Sequence, residues 1–157
     1  MSQHILIAFD DSDNALRAVE FVAKQFRSEK NNVTLFNVAM DTAALCSMNS
    51  PELTPYFKSQ QNSFCQLEDK KKDLVGEALT KAKDILKSAG FSDEQIQIKV
   101  HPQKSSVAKD ILDETESDYD LIVMGRTGKS GVKEFFLGST PLKVFSQAKN
   151  VSLLVVG

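Results

Sequence analysis

Cysteine is scarce in this sequence. Two residues in 157 are too few for a disulfide framework or for a zinc site built on four cysteines. Long hydrophobic runs are missing as well, and no apolar stretch approaches the roughly 20 residues of a membrane-spanning helix. Nor is there a surplus of basic charge: 19 Lys and Arg stand against 21 Asp and Glu, for a net charge of -2. A duplex-binding surface needs such a surplus, so nucleic acid and membrane are both disfavoured as partners. The opening MSQHILIAFD lacks a basic flank and meets Asp10 after a short apolar run, so it does not read as a signal peptide. What is present is ordinary for a globular domain, with 41% hydrophobic and 25% charged residues. The length suits one core, and the expectation is a soluble, cytoplasmic protein with a single domain over residues 1–157.

The periodicity alternates between strand and helix. His4–Phe9 is a continuous apolar run, as expected of a central parallel strand buried on both faces. Residues 14–28 carry apolar side chains at three- and four-residue spacing, which predicts an amphipathic helix capped by Ser12 or Asp13. Val33–Val38 reads as a second strand. Residues 67–89 form a long amphipathic stripe ended by Gly90 in a left-handed conformation. Its lysines at 70–72 fall on the wet face. Ile96–Val100 alternates, which suits a strand near a sheet edge. A short helix over 105–117, an apolar strand Leu121–Met124, a helix over 140–149 and a last strand Val151–Val156 complete the chain. The pattern predicts an α/β fold, a parallel sheet with helices on both faces, in which the first and fourth strands are central. Residues 39–66, which hold both Cys46 and Cys65, read as a long irregular connection. The two cysteines there read as packing or free-thiol residues. His4 and His101 have no neighbouring ligand at metal spacing and read as structural or solvated.

Chemistry is expected where the strands end. In open parallel sheets ligands sit beyond the carboxyl ends, at the point where the strand order reverses. The richest of these ends is GRTGKSGVKEFFLGSTP, beginning at Gly125. Its glycines permit close backbone approach and expose N–H groups to an anion. Ser139 or Thr140 can cap the last helix, and Pro141 suits its first turn. Residues 126–149 hold Arg126, Lys129, Lys133, Lys143 and Lys149 against Glu134 alone. This surface suits phosphate. It is not a P-loop, because the glycine required at position 123 is a valine. No GxGxxG follows the first strand. The acidic Asp10-Asp11-Ser12-Asp13 turn is also the wrong charge for the phosphate loop of a flavin carrier. Asp13 reads as a helix-capping acid, and Phe135-Phe136 as packing for the glycine segment.

The spacing Gly125-x2-Gly128-x9-Gly138-Ser139 resembles the G-x2-G-x9-G-[ST] ATP-binding signature of the universal stress proteins. The strands ILIAFDDS, LIVMGRTG and VSLLVVG are similar to the family's first, fourth and last. The resemblance spans the chain outside 39–66. It implies a five-stranded sheet of order 3-2-1-4-5, homodimerisation through Val151–Val156, and adenine-nucleotide binding. By position it implies Asp10 and the backbone of Ala8 and Val38 around adenine and ribose. It implies Gly125, Arg126, Thr127, Gly128, Lys129, Ser130 and Gly131 around ribose and phosphates, and Gly138, Ser139 and Thr140 on the phosphates. The ligand implied is ATP, with ADP or AMP as alternatives. Mg²⁺ or Mn²⁺ is expected to accompany it, with Asp10 nearest to hold the ion's water shell. The sequence departs from the family at Asp11, where many members have glycine, and at Ala8 and Asn150, where prolines occur. A nucleotide-dependent regulator of the stress response, with an unidentified protein partner, is the function implied. A slow ATP hydrolase or adenylyl-transferring enzyme is the alternative, although no His or Glu in the glycine segment stands to align water.

Overall fold

The computed structural model describes residues 2–116, 118–127 and 137–157. Five strands, β1 (Gln3–Ala8), β2 (Asn31–Ala39), β3 (Ile96–Pro102), β4 (Leu121–Gly125) and β5 (Ser152–Val156), form one parallel sheet in the order β3-β2-β1-β4-β5. β1 is central because both of its faces are apolar. Ile5 and Ile7 pack beneath α1 (Asp13–Gln25) and α3 (Pro55–Ser88), among Val19, Val22, Leu79 and Leu86. Leu6 points the other way, into a second cluster with α4 (Val107–Glu114) and α5 (Ser139–Gln147) that contains Phe36, Ile111, Ile122 and Val144. The run without alternation therefore reports a strand with no wet face. β3 lies at the edge, as its alternation predicts, and leaves Ile98 and Val100 exposed.

Local signals set most boundaries. The Ser12 hydroxyl accepts the Ala15 N–H at 3.1 Å and caps α1. Gly90, at φ +101°, closes α3 with paired bonds, Gly90 N–H to Lys87 O and Phe91 N–H to Leu86 O. That pair defines a Schellman turn, which needs a residue free to take positive φ. Asn150 has φ +58°, a region that asparagine tolerates and proline cannot reach. The turn into β5 is therefore built differently from one that places a proline at this position.

Two regions depart from the expectations. Residues 39–66 are not irregular throughout: a short helix, α2 (Ala43–Ser47), occupies part of them, and α3 begins at Pro55 rather than at 67. Thr54 caps that start by accepting the Phe57 N–H, with Pro55 in the first turn, where a missing N–H costs nothing. Cys46 and Cys65 are not free thiols but a disulfide that joins α2 to the outer turns of α3. Gln61 reinforces the join by donating to Leu45 O at 2.6 Å and Met48 O at 2.9 Å. The second region is the start of α5. Neither Ser139 nor Thr140 is its cap; Gly138 is, with its carbonyl accepting the Leu142 N–H. Gly138 also donates to Arg126 O at 2.9 Å, which draws the helix start one residue earlier.

Among the described residues, no helix is long and apolar enough to cross a membrane.

Candidate functional site

The order of the sheet reverses at β1, since the chain moves outward to β2 on one side and to β4 on the other. Beyond the carboxyl ends of these three strands lies a cleft of about 470 Å³. Its floor is apolar: Ala8, Phe36, Val38 and Met124 come from strand ends, and Val107 and Ile111 from α4. Its rim is polar, with Asp10 and Ser12 on the turn into α1, Thr127 after β4, and Ser139 and Thr140 opening α5. The position follows from the topology, because parallel strands release their loops on the same side of the sheet.

Each rim group has a defined local origin. Asp10 is half-buried, and its Oδ1 accepts the Ser12 N–H at 2.9 Å, which folds the turn that starts α1. It is the one acidic residue lining the cleft among the described residues. The first N–H groups of a helix have no acceptor within it. Pro141 carries no N–H and Leu142 makes the first internal bond, so Ser139 and Thr140 are the donors α5 offers to the cleft. A negatively charged group is favoured there by the helix dipole. No cluster of three His, Cys, Asp or Glu side chains occurs among the described residues. A cation here would have to be held mainly by its own ligand and water, with Asp10 as the nearest carboxylate.

Eight of the residues expected at the site share this cleft: Ala8, Asp10, Val38, Gly125, Thr127, Gly138, Ser139 and Thr140. Arg126 does not line it. Its backbone is scaffold, donating to Val156 O at 2.8 Å and accepting from Gly138. Gly128, Lys129, Ser130 and Gly131 lie outside the described residues, as do Lys133, Glu134, Phe135 and Phe136. Gly125 has a further reason to be glycine. A Cβ there would stand 2.8 Å from the backbone C and O of Asn14, so the absent side chain lets α1 approach the end of β4.

The sequence reading missed part of the wall. Val107 and Ile111 carry the same apolar periodicity as any core helix, so nothing in it distinguishes a wall from a core position. Asn37 is buried at the end of β2 and donates to Phe9 O at 2.8 Å, which ties the ends of β1 and β2 together. His4 is structural, as expected. Its Nδ1 bonds Asp118 O, its Nε2 bonds Thr34, and its ring stacks on Tyr119, all at the opposite end of the sheet. Burial there pushes the Tyr119 hydroxyl above its ordinary pKa, with Glu114 adding to the effect.

The model of the universal stress protein family matches residues 1–157. The chain belongs to the universal stress protein family. Solved relatives share the fold. Universal stress protein UspA from Lactobacillus plantarum superposes with a TM-score of 0.72 at 21% identity, covering 99% of this chain and 97% of its own. A universal stress protein solved in complex with cAMP gives a TM-score of 0.60 at 21% identity, with 99% and 96% covered. One from Archaeoglobus fulgidus, solved in complex with dAMP, gives 0.56 at 18% identity, with 100% and 98% covered. A comparison with curated proteins finds no match. Family membership and the strand order 3-2-1-4-5 thus agree with the resemblance seen in the glycine segment and its flanking strands.

Proposed function

We propose that this universal stress protein binds an adenine nucleotide in the cleft and acts as a nucleotide-dependent regulator in the cytoplasm. ATP with Mg²⁺ or Mn²⁺ is the ligand favoured, with ADP or AMP as alternatives. The observation that carries the reading is the division of the cleft. An apolar floor suits a base, and a rim of hydroxyls and open helix N–H groups suits phosphates. The relatives solved with cAMP and dAMP support the same ligand class. In this reading Ala8 and Val38 flank the base, Asp10 faces the ribose, and Gly138, Ser139 and Thr140 receive phosphate. Arg126 serves that side as scaffold through its backbone, and the resemblance adds Gly128, Lys129, Ser130 and Gly131 as phosphate donors.

The reading includes a homodimer. β5 pairs with β4 on one side only, and an open apolar edge invites a second copy. Leu142 and Phe145 are 52% and 68% exposed on α5, the helix that leads into that edge. Sedimentation should give twice the chain mass at tens of micromolar. A monomer at that concentration removes the dimer from the reading.

Calorimetric titration with Mg-ATP, ADP, AMP and adenosine tests the site itself. Gly138→Val supplies the contrast, because its Cβ would press to 3.3 Å against Arg126 O and Thr127 Cα and turn the start of α5 aside. Its affinity for ATP should fall at least tenfold, about 1.4 kcal/mol, while circular dichroism stays native. Unchanged affinity in a folded variant refutes the phosphate assignment. Release of ADP should be slower than about one per minute, far below the roughly 1–10³ per second of ordinary enzymes; faster turnover favours the hydrolase alternative.

A further inference from the structure

Three contacts converge on Asn14, a residue of the first turn of α1 that does not line the cleft. Its Nδ2 donates to both the carbonyl (3.0 Å) and the hydroxyl of Thr127. Its Oδ1 accepts from the Arg17 guanidinium at 2.6 Å. Its backbone fills the space left by the missing side chain of Gly125. The second contact explains the first. An amide whose oxygen is held by a guanidinium must turn its NH₂ the other way, toward Thr127.

Thr127 in turn carries the start of α5. A Cβ on Gly138 would lie 3.3 Å from Thr127 Cα and from Arg126 O, and Gly138 N–H is bonded to that same oxygen. Where Thr127 sits therefore sets where α5 begins and where the Ser139 and Thr140 N–H groups point. We propose that Asn14, oriented by Arg17, is a positioning residue for the phosphate end of the cleft, acting through Thr127 on the first turn of α5. The proposal rests on the nucleotide-binding reading above and assigns a function to a side chain that does not line the cleft. It requires phosphate affinity and base affinity to be separable, because the apolar floor is built from β1, β2, β4 and α4 and owes nothing to Asn14.

The test compares ATP with adenosine, by calorimetry, in the wild type, Asn14→Ala and Arg17→Met. The ratio of the two affinities is the readout, since general loosening of the fold weakens both ligands together. Asn14→Ala should weaken ATP about tenfold and adenosine less than twofold. Arg17→Met keeps the aliphatic stem of an exposed residue and removes the group that orients the amide, so it should weaken ATP about threefold with adenosine unchanged. It also keeps the proposal testable if Asn14→Ala does not fold. A wild-type ratio in the folded variants overturns the positioning role and leaves the nucleotide reading standing. A wild type that binds neither ligand overturns both.

Discussion

Gly125→Ala should destabilise the fold by about 2–3 kcal/mol, the upper part of the range for an overpacked core. The added methyl would stand 2.8 Å from the carbonyl carbon, the oxygen and the Cβ of Asn14. Two of those atoms are backbone, and α1 cannot yield without drawing Val19 and Val22 out of the cluster around Ile5 and Ile7. For a chain of this length the loss corresponds to a fall in Tm of roughly 4–12 °C. Gly76→Ala is the control, because a Cβ there meets nothing within 4 Å and the position lies inside α3. It should gain about 0.5–1 kcal/mol from helix propensity alone. Urea unfolding of both variants decides the matter. Equal shifts would mean that Gly125 is a loop residue and not the seat of α1.

Phe36→Ala should have the largest effect on stability of any single truncation here, about 3–5 kcal/mol. Among the described residues Phe36 is the largest of the fully buried side chains, 1% exposed. It packs with Leu6, Ile111 and Met124, and its ring also stacks on His101 with centroids 5.8 Å apart. The same ring forms part of the cleft floor, so one substitution reaches both stability and binding. Phe36→Leu separates the two. It should retain most of the core at a cost near 1.5 kcal/mol, yet remove the aromatic surface from the floor. Adenosine and ATP should then lose affinity by the same factor, the opposite of the pattern expected for Asn14→Ala. If the leucine variant unfolds with the alanine one, or binds both ligands as the wild type does, Phe36 is not the shared support described here.

The sheet was legible because burial on both faces leaves a distinctive mark. Ile5-Leu6-Ile7 and Ile122-Val123-Met124 have no polar interruption, and both runs lie inside the sheet with neighbours on each side. The start of α3 left no such mark. The inward face of its first turns carries Gln61, Cys65 and Glu68 where an apolar stripe would be expected, while Tyr56, Phe57 and Leu67 are exposed. Gln61 and Cys65 find their partners on α2 and the residue that follows it, and Glu68 pairs with Lys71 of the same helix, so hydrophobic periodicity could not reveal them. Thr54-Pro55 was the available signal, a capping residue followed by a first-turn proline. At the site, two of the spaced glycines, Gly125 and Gly138, line the cleft. Asn14 was not legible, because its importance comes from a partner 113 positions away.

The Cys46–Cys65 bond fastens two elements, α2 and the overhang of α3, that contribute nothing to the lining of the cleft. Under the proposed function, occupancy of the cleft and oxidation of the cysteines are then expected to be separate variables, with a coupling free energy near zero. The chain has four states: empty or filled, each with the bond closed or opened by thiol exchange. In the proposed reading a nucleotide concentration would set one coordinate and the surrounding redox poise the other. Opening the bond would unfasten an appendage, while the cleft beneath would, in the proposed reading, keep its response to nucleotide.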